Sequence, residues 1–254
     1  MIFDTHAHYD DEQFDTDRDA LLQSMRGRGV GCIVNVGAST AGCRAAVRLA
    51  GQYDFIYAAL GIHPDEVGSI NDDFFSWMRS EAESNPKVVA IGEIGLDYHW
   101  DVEPREVQKE WFLRQMELAR DLSLPIAVHS RDAAQDTFDL ISRYGRDLPG
   151  ILHCFSYSPE MAAEYVKLGY YIGLGGVVTF KNAKKAKETA QIIPLERIML
   201  ETDCPYMAPT PFRGKRNSSD LIVYVAEEIA RIKEISTEEV ISVTEENAKR
   251  LFQL

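Results

Sequence analysis

Short apolar runs recur eight times along this chain, each followed by an amphipathic stretch, and that alternation restricts the fold more than any other feature. The runs fall at 2–8, 30–36, 55–60, 88–93, 125–129, 150–153, 170–173 and 197–201, starting 20 to 37 residues apart. That spacing leaves room for a helical crossover between parallel strands. Cys32-Ile33-Val34 and Val88-Val89-Ala90-Ile91 are apolar without interruption, as strands covered on both faces require. Helices are expected at 18–28, 40–51, 72–84, 132–144, 159–168, 184–191 and 219–234. Another follows Pro104, which suits a first helical turn, and places Val107, Trp111, Leu118 and Leu122 along one stripe. Gly169 reads as a helix C-cap, and 237–253 as one or two short closing helices. No linker, repeat or composition break divides the chain. The expectation is α/β class, a single (β/α)8 TIM barrel domain spanning 1–254.

Composition narrows the function. With 45% hydrophobic residues the 254-residue chain can bury a substantial core, yet no apolar run reaches the ~18 residues of a membrane span. No basic segment followed by an apolar one opens the chain, so a cytoplasmic protein with no membrane contact is expected. Cys32, Cys43, Cys154 and Cys204 show no paired spacing and suit reduced thiols. A net charge of −13 argues against a broad nucleic-acid-coating surface, while leaving room for a local basic site. No dinucleotide loop or P-loop points to an organic cofactor, and no obligate protein partner is expected.

In such a barrel the chemistry sits where strands end. The first run carries Asp4-Thr5-His6-Ala7-His8, and period-two alternation puts His6 and His8 on one face with Asp4 behind. Alone, a His-x-His pair is more often coincidental than functional. Further strand ends carry His63, Glu93, His129, His153 and Asp203, so five of the six histidines lie at strand ends. Four imidazoles and two carboxylates suffice for two divalent cations sharing a carboxylate, typically about 3.5–4 Å apart. The expected division gives His6, His8 and Asp203 to one ion and His129 and His153 to the other, with Glu93 bridging. Asp203 is also the candidate catalytic acceptor of a proton from the attacking water. Four imidazoles favour zinc, manganese or nickel over magnesium, while the two carboxylates leave room for magnesium at one site.

His6-x-His8, Gly61-Ile62-His63-Pro64, Gly92-Glu93-Ile94-Gly95-Leu96-Asp97, His129-Ser130-Arg131, His153-Cys154-Phe155 and Glu201-Thr202-Asp203-Cys204-Pro205-Tyr206, occurring in this order, resemble the TatD family of metal-dependent deoxyribonucleases. The resemblance covers residues 4 to about 217. It implies a barrel of the metal-dependent hydrolase type that cuts DNA phosphodiester bonds, typically from the 3′ end, with two divalent cations. It also implies ligand roles for His6, His8, Glu93, His129, His153 and Asp203, and single-stranded DNA or DNA 3′ ends as the partner. Where the family usually has Asn-Glu-Pro before its last long helix, this chain has Asn217-Ser218-Ser219.

Two basic clusters follow the seventh and eighth runs: Lys181, Lys184, Lys185 and Lys187, then Arg213, Lys215 and Arg216. Lys184, Lys185 and Lys187 read as a solvated helix face. Lys181 and Arg213 are the better candidates for phosphate contact, with Lys215 and Asn217 behind them. Arg131 can clamp a phosphate oxygen or cap a helix through Asp132. His63 is assigned to phosphate or to support of the metal site. Tyr98 and His99 either stack on a base or pack the loop. Glu201 either orients a ligand or joins a buried polar network. The same centre could instead serve another ester, such as D-aminoacyl-tRNA, a lactone or a small phosphoester. A metal-stabilised protein without activity is the weakest reading, since an open site with a candidate base exceeds a structural need.

Overall fold

The computed structural model describes residues 1–100 and 102–254. Eight strands pair in sequence order, all in parallel: β1 (Ile2–Ala7), β2 (Val30–Val36), β3 (Ile56–Leu60), β4 (Val88–Asp97), β5 (Ile126–Arg131), β6 (Gly150–Leu152), β7 (Tyr171–Leu174) and β8 (Ile198–Leu200). The sheet closes on itself between β8 and β1. Ala7 bridges Cys204, Asp203 N donates to His6 O at 2.9 Å, and His8 N donates to Cys204 O at 2.8 Å. The expected TIM barrel is therefore what forms.

Among the described residues the outer layer is α1 (Arg18–Ser24), α2 (Thr40–Gln52), α3 (Asp72–Ser84), α4 (Arg105–Leu122), α5 (Ala134–Tyr144), α6 (Pro159–Lys167), α7 (Lys184–Ile192), α8 (Ile222–Lys233) and α9 (Thr237–Phe252). No helix among them is long and apolar enough to cross a membrane. Ser39, Asn71, Ser158 and Ser236 cap α2, α3, α6 and α9 by accepting a backbone N–H. Gly169, at φ +94, follows α6 as expected.

Four expectations change. The helix expected at 18–28 stops at Ser24, and a 3-10 turn over Arg26–Arg28 leads to Gly29 at φ +90. The closing segment is one 16-residue helix rather than one or two short ones. Strand β4 runs to Asp97, because its ladder to β5 shifts register between Ile91 and Ile94 and then resumes. Finally, the fully buried stripe of α4 is Gln108, Phe112, Gln115, Met116 and Ala119, with Leu118 beside it; Val107, Trp111 and Leu122 lie only partly covered.

The buried glutamines explain that last difference. Gln108 accepts from Asp97 N at 2.9 Å and donates to Asp97 O and Glu103 O. Gln115 accepts from Ile62 N at 2.8 Å and donates to Ile62 O at 3.2 Å. Each satisfies a backbone peptide where a strand runs out of ladder partners, so a polar residue faces inward.

Candidate metal centre

The ends of β1, β4, β5, β6 and β8 converge on Glu93. The register shift in β4 is a bulge-like irregularity, and such features re-aim a side chain at a barrel rim. Glu93 N leaves the β5 ladder and donates to Gly37 O at 3.0 Å. Gly61 is needed beside it, because a Cβ there would come within 2.5 Å of Gly92 C and 2.7 Å of Glu93 N. That close approach is the physical content of Gly61-Ile62-His63-Pro64. Cys154 and Asp203, at the ends of β6 and β8, sit at φ +45 and +56, a left-handed conformation that non-glycine residues adopt at some cost.

Four imidazoles surround the Glu93 carboxylate. Its oxygens lie 3.5 Å from His6 Nε2, 3.8 Å from His8 Nε2, 2.9 Å from His129 Nδ1 and 3.7 Å from His153 Nε2. Asp203 Oδ1 faces the same space, 3.3 Å from His8 Nε2 and 3.8 Å from His153 Nε2. His6, His8 and Asp203 offer donors within 4.8 Å of one another, as the expected first site requires. The expected second pair meets less directly. His129 and His153 have ring centroids 6.5 Å apart and share Glu93 Oε1, while His153 groups more closely with His6 and Glu93.

The donor set fits divalent cations. His6 Nε2 and His8 Nε2 face each other at 3.1 Å, an arrangement of like nitrogens that a shared cation relieves. His6 Nδ1 is buried without a hydrogen-bond partner. The outward nitrogens of His8 and His129 are hydrogen-bonded to acceptors, the pattern that fixes ring orientation in metal sites, while His153 Nδ1 faces a carboxylate without a hydrogen bond. His8 Nδ1 meets Val36 O at 2.9 Å, His129 Nε2 meets Asp97 Oδ2 at 3.0 Å, and His153 Nδ1 lies 3.2 Å from Glu201 Oε2. Glu201 is fully buried and also accepts from Cys154 N at 2.6 Å. Gly173 makes room for it, since a Cβ there would come within 2.4 Å of the Glu201 carboxylate.

The electrostatics follow from this crowding. Burial lowers the His8 pKa, but hydrogen bonding and charge from Asp203 outweigh it and raise it to about 10. Burial likewise opposes protonation of His129 and His153; Asp97 and Glu93 raise the first to about 9, and Glu201, chiefly, raises the second to about 9. Burial would raise Glu93, yet His129 and His6 hold it well below the usual carboxylate range. The cluster therefore holds its carboxylates ionised, ready for cations.

His63 joins the cluster from its edge, offering a ligand atom within 4.8 Å of those of Asp97 and His129. Its Nδ1 accepts from Asp65 N at 3.2 Å, which leaves Nε2 as the proton carrier. Its ring centroid lies 4.3 Å from that of His129, and burial, then His129, lower its pKa to about 4. A neutral donor beside the centre results. Arg131, Lys181, Arg213 and Lys215 are exposed or partly so on loops and strand ends of the same face. Among the described residues none of the four forms an ion pair, including the Arg131–Asp132 pair considered above; Asp132 pairs with His99 instead. Lys184 pairs with Glu188 within α7, as a solvated helix face does, whereas Lys187 is half-buried and ties α7 to Glu228 of α8.

Asn217 corrects its expected substrate role. It is 0% exposed, and its Nδ2 donates to Thr202 O at 2.9 Å and Tyr206 O at 2.8 Å. The Asn217-Ser218-Ser219 departure is likewise internal: Ser219 Oγ donates to Asp4 Oδ2 at 2.6 Å, and Tyr9 O–H donates to Ser219 Oγ at 2.8 Å. Asp4 also accepts from Thr202 N and Oγ1, so it ties β1 to β8 beneath the histidines. Arg216 is structural too, in a bidentate pair with Asp17. Tyr98 packs the loop, with its hydroxyl on Asp136 and Arg105 over its ring. Asp97, which the sequence shows only as the end of the Gly92–Asp97 motif, holds His129, and period two places it on the same strand face as Glu93.

Fold and site together define a metal-dependent hydrolase built on a TIM barrel. The sequence profile of the family described as TatD related DNase matches residues 3–253. The chain is 47% identical to the uncharacterized metal-dependent hydrolase YabD of Bacillus subtilis (strain 168) over 100% of both chains. It is 36% identical to YcfH of Escherichia coli (strain K12), described in the same words, over 100% of this chain and 96% of that one. The crystal structure of YjjV, a TatD homolog from Escherichia coli K12, superposes with a TM-score of 0.92 at 32% identity, covering 100% of this chain and 98% of that one. The chain belongs to the TatD-related DNase family.

Proposed function

We propose that the protein hydrolyses DNA phosphodiester bonds from the 3′ end of a single strand, using two divalent cations held around Glu93. The observation that carries this reading is the Glu93 carboxylate lying within 3.8 Å of four imidazoles, with Asp203 facing the same space. The family's description as DNases supports the phosphodiester. A basic rim on a chain of net charge −13 suits one strand end better than a long duplex. Four free cysteines fit a reducing compartment, and we assign the protein to the cytoplasm.

Divalent cations bound there would polarise the phosphoryl oxygens and lower the pKa of an attacking water. His6, His8 and Asp203 would hold one cation, His129 and His153 the other, with Glu93 between. Asp203 accepts the proton of the attacking water, because its Oδ1 borders the donor cluster and its carboxylate is held ionised: burial raises its pKa, but His8, His153 and His6 together bring it below the usual value. Neutral His63 donates from Nε2 to a phosphate oxygen. Arg131 and Arg213 bind non-bridging oxygens at the rim. Asp97 and Glu201 hold the rings of His129 and His153 in place.

The test uses single-stranded DNA labelled at either end, with Mn²⁺, Mg²⁺ or Zn²⁺. Label at the 3′ terminus should leave first as mononucleotide, while 5′-labelled strands shorten stepwise. DNA left intact while a D-aminoacyl ester, a lactone or a small phosphoester is hydrolysed would assign the centre to that ester instead.

A further inference from the structure

Trp100 stands on the loop between β4 and α4 and is 62% exposed, an unusual degree for so large an apolar ring. Its backbone is anchored. Trp100 N reaches Asp97 Oδ1 at 3.3 Å and His99 N donates to the same oxygen at 2.8 Å, while the other oxygen of Asp97 holds His129 Nε2 at 3.0 Å. One carboxylate thus ties the loop bearing the indole to a candidate metal ligand. The ring meets His99 edge-on at 4.9 Å, and the Arg131 guanidinium lies 5.4 Å from its centroid. Arg131 comes from β5, two residues past His129, and pairs in register with Asp97.

A similar pair occupies the loops after β7 and β8, where the Arg213 guanidinium lies 4.4 Å from the Phe180 centroid. A guanidinium supplies a cation for phosphate, and an exposed aromatic face supplies a stacking surface for any base. Both beside a phosphodiesterase-type centre match one nucleotide. Tyr98 offers less of such a surface, because it is half-buried and its hydroxyl is tied to Asp136.

We propose that Trp100 and Arg131 form a nucleotide subsite in which a substrate base stacks on the indole while Arg131 binds its phosphate. Its part in turnover rests on the nuclease reading; its binding does not. The subsite favours any base over none, since stacking tolerates sequence.

Two measurements test this. In a variant carrying Trp77→Phe and Trp111→Phe, Trp100 is the sole indole, and oligo(dT) should quench its emission saturably while deoxyribose 5-phosphate does not. Emission unchanged by the oligonucleotide overturns the subsite. In turnover, Trp100→Ala should lower kcat/KM on a strand with an intact terminal nucleotide by roughly 5- to 150-fold more than on one with an abasic terminus, with Trp100→Phe between. Equal losses on both substrates mark a loop defect and overturn the proposal. If the unaltered protein cuts neither strand yet shows the quenching, the nuclease reading fails and the subsite stands. If it cuts DNA and Trp100→Ala cuts equally well, the subsite fails and the nuclease reading stands.

Discussion

The two ends of this barrel are built from opposite materials. At the N-terminal end Phe3, Val34, Val89, Ala127, Ile151, Tyr171 and Met199 meet Ala248, Leu251 and Phe252 of α9, and Phe3 stacks on Phe252 at 5.9 Å. At the C-terminal end, buried His6, Glu93, His153 and Glu201 crowd the same interior. One end lowers the free energy by removing apolar surface from water. The other raises it by desolvating charge and is tolerated because its groups pair with one another. Stability and activity are therefore separable along the barrel axis.

The largest effect on stability is expected at the apolar end. Phe252→Ala should cost about 3–5 kcal/mol in denaturant unfolding, as large-to-small core changes do, while kcat per folded molecule holds. A matching loss of kcat would join the two ends. At the polar end Glu201→Gln keeps an acceptor for Cys154 N but removes the charge behind His153. Metal affinity measured by competition with a chelator should fall roughly 10- to 100-fold, with thermal stability little changed.

Proton linkage sharpens the contrast next. His8, His129 and His153 have native pKa values raised to about 10, 9 and 9 from 6.5. In EDTA-treated protein their contribution to stability is fully present below about pH 6.5 and lost as pH rises through 9 to 10. The thermal midpoint of that protein should fall across this window. Cations must displace the same protons, so their affinity should rise over it. A midpoint flat in pH would show that these pairs hold no protons. The smallest effect concerns the rim. Lys181→Ala should weaken oligonucleotide binding modestly and reduce the slope of log K against log salt by about 1, leaving stability unchanged.

How much of this was legible depended on which partner each residue uses. The barrel could be read from its eight apolar runs, since strand and helix periods are properties of contiguous sequence. The six candidate ligands could be read because strand order fixes where strand ends go. What could not be read were side chains whose partners are backbone atoms of distant segments. Gln108 and Gln115 look like solvent-facing positions until they are seen closing the peptides of Asp97 and Ile62. Asn217 looks like a substrate contact beside basic residues, yet it fastens Thr202 and Tyr206. Nothing in the sequence sets Trp100 apart from Tyr98 and His99, because exposure of one loop ring over its neighbours is decided by packing alone.

Whether the Glu93 cluster holds cations for which Asp203 serves as proton acceptor is decided by one comparison. The unaltered protein and Asp203→Asn, each assayed for bound Mn²⁺ or Zn²⁺, would be given 3′-labelled single-stranded DNA. The variant should retain metal, with turnover lower by about 10²–10⁴-fold. Turnover of DNA by metal-loaded Asp203→Asn at the unaltered rate would contradict that role.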